Sequence, residues 1–226
     1  MSKQIKTQAD PEQAVGRTLS NAEQFLEKNK NILLYTLIAL GAVVSIYFGY
    51  QKLYKEPLKE EALGQMFTAE QYFRRDSFAL ALNGDGNAYG FLQIRDEYGS
   101  NAGKILPFYI GFCQLHLGQY EEAIASLQSY KGTDEIVAAR ALAGIGDAYV
   151  ELNNLQTAYS YFIKAADYRD NSYAARYLIK AAAVCEEQGN IDNALKLYER
   201  IKLNYGQTAE GREIDKYIAR LTINKR

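Results

Sequence analysis

The sequence predicts an all-α protein: one long apolar helix near the N-terminus, then a solenoid of antiparallel helix pairs closed by a C-terminal capping helix. Three observations predict it. The run ILLYTLIALGAVVSIYFGY, Ile32 to Tyr50, carries no charge. Tyrosine is used 19 times, proline only 3 times and tryptophan not at all, which favours long uninterrupted helices with aromatic knobs over a turn-rich β design. Three stretches of the second half align with one another at a nearly constant step.

Composition narrows the function classes. A hydrophobic share of 48% and a charged share of 23% suit a chain that can bury a core. The formal net charge is -1 and no Lys/Arg cluster stands out, which argues against a general nucleic-acid binder. The two cysteines, Cys113 and Cys185, form no CxxC pair, metal spacing or disulfide framework and read as small buried hydrophobes. His116 is the only histidine, so Ser-His-Asp and two-His zinc arrangements are out of reach. No P-loop is present, and no enzymatic activity, cofactor or metal is expected.

Residues 1–31 form a polar tail, disordered up to Pro11, with a short amphipathic helix from about Leu19 that uses Leu19, Ala22 and Leu26 at helical spacing. Residues 32–50 follow as the apolar helix. At 1.5 Å per residue it reaches about 28 Å, close to the ~30 Å of a bilayer hydrocarbon core. Tyr35, Tyr47 and Tyr50 stand near its ends, and Lys28, Lys30, Lys52 and Lys55 flank it where long stems snorkel. The long polar lead and the exit YFGYQKLYKEPLKEE do not resemble a cleavable signal, so an uncleaved anchor is the favoured reading. A buried helix is the alternative, disfavoured because the run has no polar face. Basic residues on the two sides nearly balance; Lys3 and Lys6 tip the orientation towards a cytoplasmic N-terminus. Residues 51–57 make a charged neck, and the helical domain occupies 58–226.

Within that domain, PFYIGFCQLHLGQYEEAIASLQSY from Pro107, LAGIGDAYVELNNLQTAYSYFIKA from Leu142 and LIKAAAVCEEQGNIDNALKLYERI from Leu178 share offsets. Each has a small residue (Gly111, Gly146, Ala182), a turn residue (Gly118, Asn153, Gly189), an alanine (Ala123, Ala158, Ala194) and a large knob (Leu127, Phe162, Tyr198). Small residues let two helices approach closely, and Gly or Asn at the turn tolerates the left-handed conformation that ends a helix. The pattern resembles the tetratricopeptide repeat, a helix-turn-helix unit, over residues 104 to 206, with repeats at about 104–137, 139–172 and 175–206. The departures are Pro107, Gln114 and Cys185 at positions where the family uses larger residues, and the missing closing proline. Upstream, 58–98 reads as a degenerate first pair: a long helix from about Leu58, a turn at Asn83 to Gly86, and a helix through Tyr98, with Ala88 keeping the period to Ala123. The NGDG turn lacks the acidic ligands of a calcium loop. Residues 207–226 read as a cap with Ile214, Ile218 and Leu221 on one face.

The resemblance implies a partner-binding groove lined by the first helix of each pair. Carried over position by position, it comprises Phe108, Phe112, Leu115 and His116, then Arg140, Asp147, Val150 and Glu151, then Arg176, Ile179, Glu186 and Glu187. A peptide or partner helix would anchor on Phe108 and Phe112 while Arg140 or Arg176 meets a carboxylate. The whole layout, including EQFLEKNKN before the anchor and AEQYFRRDSFALALNGDGNAYGFLQIRDEYG after it, resembles the YfgM-type ancillary subunit of the Sec translocon, and within it the Bacteroidetes relatives. That resemblance implies an inner-membrane protein with a cytoplasmic tail and periplasmic repeats. Its implied partners are a SecYEG-type translocon and a PpiD-type anchored chaperone, and its implied role is assisting exported proteins. The competing expectation is a structural adaptor in a cell-envelope or division complex. An outer-membrane lipoprotein is disfavoured because the first cysteine is Cys113.

Overall fold

The computed structural model describes residues 11–169 and 172–224. The chain divides into two compact units, Met1–Pro57 and Leu58–Arg226. The expected disorder before Pro11 lies outside the described residues.

In the first unit, helix α1 (Pro11–Tyr50) runs without a break. It begins earlier than the short juxtamembrane helix expected from Leu19. Proline is favoured at the first helical position because its missing N–H has no partner there, and nothing between it and the apolar run breaks the helix strongly. By length and composition α1 is a candidate membrane span, and its apolar stretch is unburied. Within that stretch Thr36 Oγ1 donates to Ile32 O (2.8 Å) and Ser45 Oγ to Gly41 O (2.8 Å), so each hydroxyl is satisfied inside the helix. The chain then makes a π-helical turn, Gln51–Lys55. Tyr50 and Tyr54 stack across it at 5.4 Å, and the Gln51 amide donates to Tyr47 Oη at 3.2 Å.

The regular secondary structure of the second unit is helical, apart from one isolated bridge between Gly84 and Tyr89, among its described residues. Helix α2 (Glu56–Arg74) stops short of the expected turn at Asn83, and a separate α3 (Phe78–Asn83) follows. The break is at Asp76, which takes a left-handed φ of 55°, while Ser77 N donates back to Tyr72 O at 3.0 Å. Turning there brings Phe73 and Phe78 edge to face at 5.6 Å. The loop after α3 is held by Asp85, whose carboxylate accepts from Asn87 N, Ala88 N and the Tyr72 hydroxyl. Ala88 therefore sits in a loop ahead of α4 (Phe91–Tyr98) and does not take the buried helical place of Ala123. The first pair departs from the repeat at this point.

Three regular pairs follow: α5 (Leu106–His116) with α6 (Tyr120–Ser129), α7 (Glu135–Glu151) with α8 (Leu155–Ala166), and α9 (Ala174–Glu187) with α10 (Ile191–Asn204). The first helix of each pair ends in the same way. Gly118, Asn153 and Gly189 have φ of 77°, 56° and 72°, and the next amide returns to a carbonyl five residues back: Gln119 to Gln114, Asn154 to Tyr149, Asn190 to Cys185. Asn154 and Asn190 then cap the following helices with their side chains. The small residues admit the knobs. A Cβ on Gly111 would stand 2.6 Å from Leu127 Cγ, and Ala123, Ala158 and Ala194 are fully buried. A short helix α11 (Ala209–Arg212) and α12 (Ile214–Asn224) close the array, with Ile214 and Leu221 buried against α10 and its neighbours.

Among the described residues the core is three hydrophobic clusters rather than one. The first joins α2, α3 and α4 to one face of α5, the second joins α5, α6 and α7, and the third runs from α7 to α12. Each is shared between neighbours, so no pair buries its own apolar face alone.

Candidate functional site

The first helices of the three regular pairs stand side by side and enclose a cleft of about 430 Å³. Helix α5 contributes Phe112, Leu115 and His116. Helix α7 contributes Ile136, Arg140, Ala143, Gly144 and Asp147, and α9, with the residue before it, contributes Tyr173, Arg176, Tyr177 and Lys180. Gly144 makes room for Phe112, because a Cβ there would meet Phe112 Cζ at 2.9 Å.

The charges differ in how they are held. Lys180 Nζ bonds both Asp147 oxygens, at 2.6 and 2.7 Å, bridging α9 and α7 across the floor. Burial raises the Asp147 carboxyl above its ordinary range, and the charge and hydrogen bond of Lys180 only partly offset this. Arg176 bonds Glu210 of α11 at 3.1 Å. Arg140 has no carboxylate partner among the described residues; its guanidinium lies over Phe112 at 5.0 Å and over Phe108 at 5.7 Å. A weakly hydrated planar cation sits well on aromatic faces and keeps its N–H donors for another group. His116 is stacked flat on Phe78, centroid to centroid 4.1 Å, at the α5 wall.

Of the residues expected to form a groove, the structure brings together Phe112, Leu115, His116, Arg140, Asp147 and Arg176. The six others stand elsewhere. Phe108 is buried beneath Arg140, tilted against Phe112 at 4.6 Å, and forms a shelf rather than a wall. The Glu151 carboxylate accepts from the Tyr120 hydroxyl at 3.3 Å. Ile179 packs against the C-terminal core cluster, and Glu187 is exposed at the end of α9. Val150 packs against the same cluster and Glu186 holds Tyr198 and Arg220. The expectation missed Ile136, Ala143, Gly144, Tyr173, Tyr177 and Lys180. Helical spacing carried the signal: 136, 140, 143 and 147 lie on one face of α7, and 173, 176, 177 and 180 on one face at the start of α9. Among the described residues no group of three or more His, Cys, Asp or Glu side chains could hold a metal ion.

Comparison with known proteins meets this geometry at the pair α5–α6. The tetratricopeptide repeat family matches residues 108–132. Among solved structures, the crystal structure of MamA aligns with a TM-score of 0.49 at 18% identity, covering 70% of this chain and 94% of that chain. No curated protein matches the sequence. The family match falls on α5 and α6, the helix pair that supplies Phe112, Leu115 and His116 to the cleft.

Proposed function

We propose that this protein is a non-enzymatic scaffold that holds a segment of a partner protein in the cleft of its second unit while α1 keeps it in a bacterial inner membrane. The N-terminus is cytoplasmic and the repeats periplasmic in this reading, and the partners are a SecYEG-type translocon and a PpiD-type anchored chaperone, with exported proteins as clients. The observation that carries it is the cleft, where an aromatic wall and three cationic side chains converge from three helices onto one surface. Confinement to a membrane raises the effective concentration of a weakly bound neighbour, so a modest cleft suffices.

The test is in-cell photo-crosslinking from position 136, at the half-exposed mouth of the cleft, in the full chain. Adducts with translocon subunits, an anchored chaperone or nascent envelope proteins are expected. Adducts confined to division or cell-wall proteins would replace this reading with that of a structural adaptor.

A further inference from the structure

We infer that the cleft takes one acidic side chain of a bound protein segment on the guanidinium of Arg140; this rests on the reading of the cleft as a partner site. Elements along the array are stitched together by ion pairs whose partners lie one repeat apart in sequence. Glu135 meets Arg169 at 2.7 Å, Asp147 meets Lys180 at 2.6 Å, Asp167 meets Arg200 at 2.5 Å, Arg176 meets Glu210 at 3.1 Å and Glu186 meets Arg220 at 2.6 Å. The separations are 34, 33, 33, 34 and 34 residues.

One rung is missing. Arg140 and Arg176 are equivalent, each two residues before the aligned leucines Leu142 and Leu178. Arg176 finds its carboxylate at Glu210, and the residue at the same step from Arg140 is Ala174. Arg140 is thus a cation without its intramolecular partner among the described residues, laid on Phe112 and Phe108 in the open cleft. Asp147 and Glu210 already neutralise Lys180 and Arg176, so the charge complement of the cleft is a single carboxylate. Its source is an internal Asp or Glu side chain of an extended segment, standing on Arg140 as Glu210 stands on Arg176. An apolar or aromatic neighbour in that segment would lie along Phe112 and Tyr177.

The test is selection of random 12-residue peptides by messenger-RNA display, C-termini covered by the display linker, on the full chain in nonionic detergent. The wild-type pool should be enriched in Asp and Glu beside aromatic residues. Changing the acid of a selected peptide to its amide should weaken binding about 10-fold. Arg140→Gln should abolish the acidic enrichment, Arg140→Lys should keep it at lower affinity, and Arg176→Gln should leave it in place. A wild-type pool without acidic enrichment, yet lost with Tyr173→Ser at the cleft mouth, would overturn the inference and leave the partner site standing. A pool indifferent to both Tyr173→Ser and Arg140→Gln would remove the partner site and the inference together.

Discussion

The ring of Phe162 fills the space that a side chain at Gly146 would need: its Cε1 stands 2.7 Å from the place of a Cβ there, and Cδ1 stands at 2.8 Å. Phe162 is itself buried in the C-terminal cluster, so the ring has nowhere to retreat. Alanine is the better helix former by about 1 kcal/mol, but overpacking a closed seam costs about 1–3 kcal/mol, and the clash wins. Gly146→Ala is expected to lower the urea midpoint of the full chain in detergent. Gly64→Ala is the control: on the exposed face of α2 a Cβ at this position meets nothing within 4 Å, so stability should rise by about 0.5–1 kcal/mol. A Gly146→Ala protein at least as stable as the wild type would mean that the α7–α8 seam is looser than the geometry shows.

Glu186 ties the last regular pair to the cap. One of its oxygens accepts from the buried Tyr198 hydroxyl at 2.6 Å, and both accept from Arg220 of α12. Arg220 is half exposed, so its charge contributes little, whereas the Tyr198 hydroxyl would lose its acceptor in a buried place. Glu186→Ala should destabilise by about 1–3 kcal/mol through that orphaned donor. Adding Tyr198→Phe should recover most of the loss. A double-mutant cycle by chemical denaturation checks it: additive losses would show that the hydroxyl does not depend on Glu186.

Asp147 sets a pH dependence whose sign follows from its raised pKa. Burial makes the folded chain hold this proton more tightly than the unfolded chain does, so between the unfolded and folded pKa values the native state carries more protons. Stability from this group is then present below the ordinary carboxylate pKa and is lost as pH rises through the raised folded value. The melting temperature of Asp147→Asn minus that of the wild type should therefore become more positive with rising pH across that window and level off above it. A difference that falls with rising pH would mean that Lys180 outweighs burial.

The repeat was legible because its determinants are local. A small residue opposite a knob, and a residue that tolerates positive φ at a helix end, are fixed by spacings within one helix pair, and Gly111 with Leu127 or Gly146 with Phe162 meet as those spacings require. The break at Asp76 was not legible, since RRDS holds no glycine or proline, and only the packing of Phe73 against Phe78 and Phe91 rewards a turn there. The cleft was half legible for a similar reason. Successive residues point about 100° apart around a helix, so an offset one residue out turns Lys180 into Ile179 and exchanges a cleft cation for a core residue. The rotation of α9 about its own axis is set by contacts with α8 and α10, which no single stretch of sequence states.

The two cysteines offer a further check on the core. Cys113 lies fully buried in the cluster that joins the first pair to α5, and Cys185 is buried in the C-terminal cluster. Desolvation pushes the Cys113 thiol up to about 12 and raises Cys185 as well. With a pKa near 12, a thiol at pH 8 is ionised in only about one molecule in ten thousand, and the thiolate is the reactive form. Because the two side chains occupy separate clusters, they should stay unpaired in an oxidising compartment. The native full chain should resist an aromatic disulfide reagent at pH 8, and both thiols should titrate once denaturant opens the repeats. Across mutants such as Gly146→Ala the labelling rate should rise as stability falls, because reagent reaches either sulfur only through opened molecules. Rapid labelling of one thiol in the stable wild-type protein would mean that its cluster opens independently of the rest of the array.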